Sequence, residues 1–258
     1  MLINIKNIKI PELEIYSALR ENKFRADNSF VADSPKVVNL VLESDLEVKS
    51  ILATKEYYEN NIELLKQKNI PLKYITTKDE MQKIVGHKIH HNCMLHGIRP
   101  KNITLQNIGN QAVLLDNITS SENVGSIVRS CVALGVGSLL IAKETPHPFN
   151  RRALRVSMGH SALIDTYVYE DLKTSILELK KLGYTIYAGE VTKTSTPLSK
   201  VKVAEKWVLI LGHEGKGIAK EILDVCDEVV TIEMQEGIKS FNVSVAGAII
   251  LYQFTTSL

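Results

Sequence analysis

Hydrophobic positions in the first hundred residues fall in short blocks. There is an apolar run at Val37 to Leu42, a strand-like stretch at Lys49 to Ala53, a helical stretch from Glu56 to Lys68, and a further apolar block at Leu72 to Ile75. Strands alternating with helices predict a small α/β unit. It ends near Arg99-Pro100-Lys101-Asn102, where a proline among polar residues suits a hinge, and the boundary is predicted at about residue 105.

The second half is more regular. Ala112 to Leu115 is an apolar strand closed by the carboxylate Asp116, followed by a polar loop through Asn117 to Gly125 and a helix with Ile127, Val128, Cys131 and Leu134 on its apolar side. Ser138 to Ala142 and Trp207 to Leu211 read as buried strands, and Gly212 to Gly217 as a glycine-rich loop. Ile218 to Cys226 reads as a helix, Val229 to Ile232 as a strand and Phe241 to Tyr252 as a closing helix. Nearly all-apolar strands in repeated β-loop-α units predict a parallel sheet covered on both faces.

Composition narrows the class without changing that picture. With 258 residues, 45% hydrophobic and 23% charged, the chain can bury a core, which excludes a disordered, collagenous or disulfide-stapled protein. Thirty-one basic against twenty-nine acidic residues leave +2, so any nucleic-acid contact must come from local patches. Cys93, Cys131 and Cys226 are odd in number and form no C-x-x-C pair, and no apolar run reaches the length of a signal peptide core or a membrane span. The expectation is a cytoplasmic protein with buried thiols.

Ligands in open α/β sheets bind beyond the carboxyl ends of strands. Three loops qualify: one with Asn123 and Gly125 ahead of Arg129, one with Gly212, Glu214, Gly215 and Gly217, and one with Gly237, Ser240 and Asn242. Each residue also has a plain structural reading: tight turns for the glycines, helix caps for Asn123, Ser240 and Asn242, and an exposed helix charge for Arg129. Neither the dinucleotide G-x-G-x-x-G pattern nor a P-loop is met. His90-x-x-Cys93-x-x-His96, with His91 adjacent, offers metal-ligand types, but no fourth ligand stands nearby, and the expectation is a strand or turn without metal.

Taken together, Asn123-Val124-Gly125-Ser126-Ile127-Val128-Arg129, Leu209 to Gly217, and Ile232-Glu233-Met234 through Ser240-Phe241-Asn242 to Gly247 resemble the three motifs of the SpoU (TrmH) family of RNA ribose 2′-O-methyltransferases, of the SPOUT superfamily, in its order and spacing. Arg151 to Gly159 resembles the family's R-x-S-M-G segment. The resemblance implies a parallel α/β sheet with a C-terminal trefoil knot over residues 106–258, preceded in 1–105 by a small α/β (L30e-like) RNA substrate-binding domain. It implies S-adenosylmethionine held by Leu211, Gly212, His213, Glu214, Gly217, Ile232, Met234, Ser240, Phe241 and Asn242. Glu233 stands where the family has proline, which puts the rigidity of that loop in question.

It further implies Arg129 acting at the ribose 2′-hydroxyl with Asn123 beside it, Glu214 and Ser240 shaping the site, and Asn242 orienting neighbours. A guanidinium base is chemically awkward. The alternative is an Arg129 that stays charged, grips the adjacent phosphate and stabilises the forming alkoxide. Arg151, Arg152 and Arg155, with Arg99 and Lys101, are candidate RNA phosphate contacts. RNA is expected over DNA because only RNA carries the target hydroxyl. The partners implied are structured RNA, ribosomal in preference to transfer RNA, and a second copy of the chain in a homodimer. A catalytically silent RNA-binding factor and another nucleotide-dependent α/β enzyme are the competing classes.

Overall fold

The computed structural model describes residues 2–5, 7–17 and 27–256. The first hundred residues run β1 (Leu2–Asn4), α1 (Glu14–Ser17), β2 (Ser29–Asp33), α2 (Pro35–Glu43), β3 (Glu47–Ala53), α3 (Lys55–Asn60), α4 (Ile62–Gln67), β4 (Leu72–Ile75), α5 (Lys78–Val85) and β5 (Cys93–Ile98). There follow β6 (Gln111–Leu115), α6 (Ser121–Ala133), β7 (Ser138–Ala142), α7 (Arg151–Val156), β8 (Asp165–Tyr169), α8 (Leu172–Lys181) and β9 (Thr185–Gly189). The chain closes with β10 (Thr196–Pro197), β11 (Trp207–Leu211), α9 (Lys220–Leu223), β12 (Glu228–Thr231) and α10 (Val243–Thr256).

Two compact units result: Met1–Lys101 with Phe149–Ala162, and Asn102–Pro148 with Leu163–Leu258. The segment carrying the R-x-S-M-G sequence therefore folds with the first unit, whereas the sequence places it with the second. Its apolar side explains this. Phe149 and Leu154 are buried in the same cluster as Phe30, Val37 and Val41, with the Phe149 ring edge-on to Phe30 at 4.9 Å.

The first unit is a five-stranded mixed sheet ordered β1-β4-β3-β5-β2, with β5 antiparallel to both neighbours. The apolar run at Val37 to Leu42 is the inner face of α2, not a strand, because Pro35 sits at its first turn, where a missing N–H costs nothing. Cys93 and His96 both lie on β5. Three residues apart on a strand they face opposite ways: Cys93 enters the cluster with Leu95, and the His96 ring bonds the Ser29 hydroxyl at 2.8 Å. The H-x-x-C-x-x-H spacing thus scatters its ligands, and among the described residues no three His, Cys, Asp or Glu gather as a metal site.

The second unit is a seven-stranded, wholly parallel sheet ordered β10-β12-β9-β11-β6-β7-β8. Ala112, Leu114, Val208 and Ile210 pack on one face with Ile176 and Leu179 of α8 and Ile222 of α9. The alternate residues turn to the other face, where Phe254 of α10 lies edge-on to Trp207 at 5.3 Å and to Tyr187 at 4.9 Å. Burial on both faces is what all-apolar strands require. No helix among the described residues is long and apolar enough to cross a membrane.

α6 begins earlier than the sequence suggests. Ser120 is its cap, its hydroxyl accepting the Asn123 N–H at 3.3 Å, so Asn123 and Gly125 belong to the first helical turns and not to the preceding loop. The helix expected over Ile218 to Cys226 shrinks to the single turn of α9.

Candidate active site

A cleft of about 580 Å³ opens beyond the carboxyl ends of β9, β11 and β12. Leu211, Gly212, His213, Glu214 and Gly217 line it from the loop after β11, Ile232 and Met234 from the loop after β12, and Ser240, Phe241 and Asn242 from the approach to α10. All ten residues singled out for the cofactor thus meet at one place. Its size and its wall of mixed apolar and polar groups suit a nucleoside-sized ligand. Gly189, Glu190, Val191, Thr231 and Ala246 are also part of the wall. Sequence reasoning passed over Glu190, although it directly follows β9, the kind of position from which the other loops were drawn.

The loop after β11 is folded back tightly. A Cβ on Gly212 would lie 2.7 Å from the Gly217 carbonyl carbon and 2.9 Å from the Ile218 nitrogen, so only glycine admits this approach. Gly217 has φ +66° and a Cβ there would meet a Glu190 carboxylate oxygen at 2.3 Å. Within the turn the His213 Nδ1 accepts from the N–H groups of Gly215 at 2.9 Å and Lys216 at 3.3 Å.

Glu214 reaches from this loop to the start of α6. Its carboxylate accepts from the Asn123 side-chain amide at 2.9 Å and from the N–H groups of Ser120 at 3.3 Å and Thr119 at 3.4 Å. A carboxylate at a helix N-terminus meets unpaired N–H groups and the positive end of the helix dipole. Burial pushes its pKa up, but the Asn123 amide and the backbone donors together outweigh that and hold it below its ordinary 4.5.

The relay continues: the Asn242 amide donates to the Asn123 carbonyl oxygen at 3.1 Å, while the Asn242 carbonyl accepts from the N–H of Ser244 at 2.9 Å and caps α10. Flipping either amide would set donor against donor, so the network fixes both. Asn242, Asn123 and Glu214, one from each motif, are therefore a single hydrogen-bonded chain. Ser240 lines the cleft beside them.

Glu233, in place of the family's proline, is bonded to the Ser199 hydroxyl, and this bond, with the charge of Lys200 a lesser influence, holds its carboxyl below the ordinary value. A tether to residues 198–200 thus restrains the loop that proline would have stiffened. Arg129 stands apart: it is exposed on α6, outside the lining of the cleft, and has no ion-pair partner among the described residues.

In the first unit, Arg152 and Arg155 of α7 are exposed and Arg151 is half-buried. Its guanidinium donates through Nε at 2.9 Å and Nη2 at 2.6 Å to the buried carboxylate of Asp33. Two donors of this candidate RNA contact are thus committed to a carboxylate inside the protein. The sequence could not show this because Asp33 lies 118 residues away.

An uncharacterized tRNA/rRNA methyltransferase of Mycobacterium bovis is 28% identical over 191 residues, which are 71% of this chain and 66% of that protein's length. The 23S rRNA (guanosine(2553)-2′-O)-methyltransferase RlmP of Bacillus subtilis is 25% identical over 254 residues, 96% of this chain and 97% of that one. Among solved structures, the AdoMet-bound rRNA methyltransferase from Sinorhizobium meliloti matches with a TM-score of 0.85 over 100% of this chain and 98% of that one, at 18% identity, a likeness of fold. The SpoU rRNA Methylase family pattern matches residues 110–252, which include every loop of the cleft, and the chain belongs to that family.

Proposed function

We propose that this protein transfers a methyl group from S-adenosylmethionine to a ribose 2′-hydroxyl of structured RNA, ribosomal RNA in preference to transfer RNA. The observation that carries this is the convergence of the three loops, joined by the Asn242-Asn123-Glu214 chain, on one cleft of suitable size. The B. subtilis relative, named for 2′-O-methylation of 23S rRNA and aligned over nearly the whole chain, supports the choice of substrate.

S-adenosylmethionine supplies a methyl group already activated on a sulfonium sulfur. The chain has then to bind, orient and manage one proton. Leu211, Ile232, Met234 and Phe241 provide apolar walls for an adenine, and the backbone of their loops provides donors and acceptors. Glu214 and Asn123 keep the β11 loop against α6, and Asn242 holds the third loop in register with both. Ser240 shapes the mouth of the cleft. Arg129 holds the RNA, keeping its charge, gripping a phosphate and stabilising the alkoxide as the hydroxyl proton leaves to a phosphate oxygen or water.

Because Arg129 is outside its own chain's cleft, it serves the site of a second copy in a homodimer. Phe241, Val245, Ile249 and Tyr252 form an exposed apolar stripe on and just before α10, next to the cleft, and support that assembly. The second unit is on this reading a knotted methyltransferase domain, supported by its family membership. The first, a mixed α/β sheet with the exposed Arg152 and Arg155, is an L30e-like RNA substrate-binding domain of a cytoplasmic enzyme.

Calorimetric titration with S-adenosylmethionine, NAD and ATP tests the cofactor directly. Saturable binding of the first alone is expected, followed by a 2′-O-methylated nucleoside in RNA treated with the loaded protein. No binding of S-adenosylmethionine, with or without RNA, would favour the silent RNA-binding factor.

A further inference from the structure

Glu190 is the carboxylate of the cleft that no motif accounts for. It follows immediately on Gly189, which is paired with Leu211 of β11 on one side and Val230 of β12 on the other, so it emerges between the two cofactor loops. Its own N–H donates to the Val230 carbonyl at 3.1 Å, fixing the backbone there. One carboxylate oxygen accepts the Ile218 N–H at 2.8 Å and the other the N–H of Val191 at 3.0 Å. The first of these oxygens is the atom that excludes a Cβ from Gly217. Glu190 therefore props the turn that closes the β11 loop, and its side chain, half-buried, still faces the cleft.

The other charged groups of the wall are differently placed. Glu214 is turned to the N–H groups at the head of α6, Lys216 is exposed at the tip of the loop, and the His213 ring is occupied in the turn. Glu190 is the acidic group that sits deep between the strand ends. The methyl donor and its product differ by one charge: on transfer the S–CH₃ bond breaks, sulfur keeps the electron pair and becomes a neutral thioether, and the methyl carbon bonds to the ribose oxygen as the hydroxyl proton passes to a phosphate oxygen or water. A full negative charge in the wall distinguishes the two ligands more strongly than a backbone dipole, and an apolar contact does not distinguish them by charge at all.

We propose that Glu190 determines cofactor specificity in this cleft, supplying the negative charge that favours the sulfonium donor over the thioether product while it holds the Gly217–Ile218 turn in place. The inference rests on the methyltransferase reading. It makes product release easier than donor release, as turnover at one cleft requires. A unit charge several ångströms from another in a partly wet site is worth about tenfold in affinity.

The test is calorimetric titration of the wild-type protein, Glu190→Gln and Glu190→Asp with S-adenosylmethionine and with S-adenosylhomocysteine. Glu190→Gln loses the charge and sets an NH₂ against a backbone N–H. Both ligands should weaken, and the preference for the donor should fall about tenfold. Glu190→Asp keeps the charge but falls short of Ile218, so both should weaken with the preference retained. In the wild type the preference should shrink as salt is raised from 0.05 to 1 M, a measurement that stands even where Glu190→Gln does not fold. An unchanged preference in Glu190→Gln, or one indifferent to salt, overturns the role of Glu190 and leaves the methyltransferase reading intact. A wild type that binds neither ligand overturns both.

Discussion

Removing the Arg151 side chain separates a structural arginine from one proposed to meet RNA. Asp33 is only 3% exposed, and Arg151, at 26%, donates two hydrogen bonds to one of its carboxylate oxygens; the other oxygen is buried without a partner among the described residues. In Arg151→Met the carboxylate stays buried with nothing to balance it. Breaking one side of a buried pair costs about 3–5 kcal/mol. Against a total stability of about 5–15 kcal/mol, this should lower the melting temperature by about 10 °C. Asp33→Asn combined with Arg151→Met should recover most of the loss, since the penalty belongs to the orphaned charge. Arg155→Met, on the same helix but exposed, should change stability by under about 0.5 kcal/mol and instead weaken RNA binding, reducing its salt dependence by about one charge. Urea melts and RNA titrations at several salt concentrations measure the two effects. A stability loss below about 0.5 kcal/mol in Arg151→Met, or a fall in RNA salt dependence equal to that of Arg155→Met, would refute the division of roles.

Other consequences concern the second unit. Gly217→Ala places a Cβ against the Glu190 carboxylate at a backbone φ of +66°, and S-adenosylmethionine binding by calorimetry should fall at least about tenfold while the protein remains folded. The Glu214 carboxyl is held below 4.5 in the folded protein, so its contribution is present above that pH and is lost as the pH falls through the folded value. Cofactor affinity should accordingly decline in wild type below about pH 4.5, and Glu214→Gln should start weaker and show a flatter decline. Arg129→Ala should cost about a hundredfold or more in methyl transfer to RNA with cofactor affinity within about twofold of wild type; a loss of cofactor binding would place Arg129 inside the cleft. On the homodimer proposed above, Val245→Arg, in the exposed stripe of α10, should leave monomers in sedimentation and abolish transfer with it.

Much of the second unit was legible because its strands are continuous apolar runs with turn residues at both ends. Ser138–Ala142 and Trp207–Leu211 begin and end where the pattern puts them. The stretch holding β8, α8, β9 and β10 was not read, since Asp165–Tyr169 and Thr185–Gly189 mix polar and apolar residues without clean alternation. Short apolar runs are ambiguous on their own: Val37 to Leu42 fits strand or helix until a neighbour's packing decides, and the helix expected over Ile218 to Cys226 closes after one turn. The destination of Phe149–Ala162 depends on Asp33 and Val37, more than a hundred residues earlier, and no local pattern encodes such a meeting.

At the cleft, the residues were legible and their division of labour was not. Asn242 was open to two readings, helix cap or site residue, and its geometry makes it both: one end of the amide caps α10, the other donates to Asn123. Asn123 was open to the same pair of readings, yet the cap of α6 is Ser120, which frees the Asn123 side chain to join Asn242 to Glu214. Glu214 in turn spends its charge on the head of α6, leaving Glu190 as the acidic group facing the ligand space between the strands. Spacing along a chain reports which residue types recur together. Which of two carboxylates is occupied by a helix terminus and which faces a ligand depends on strand order, and the adjacency of β9 to both β11 and β12 is what brings Glu190 to that place.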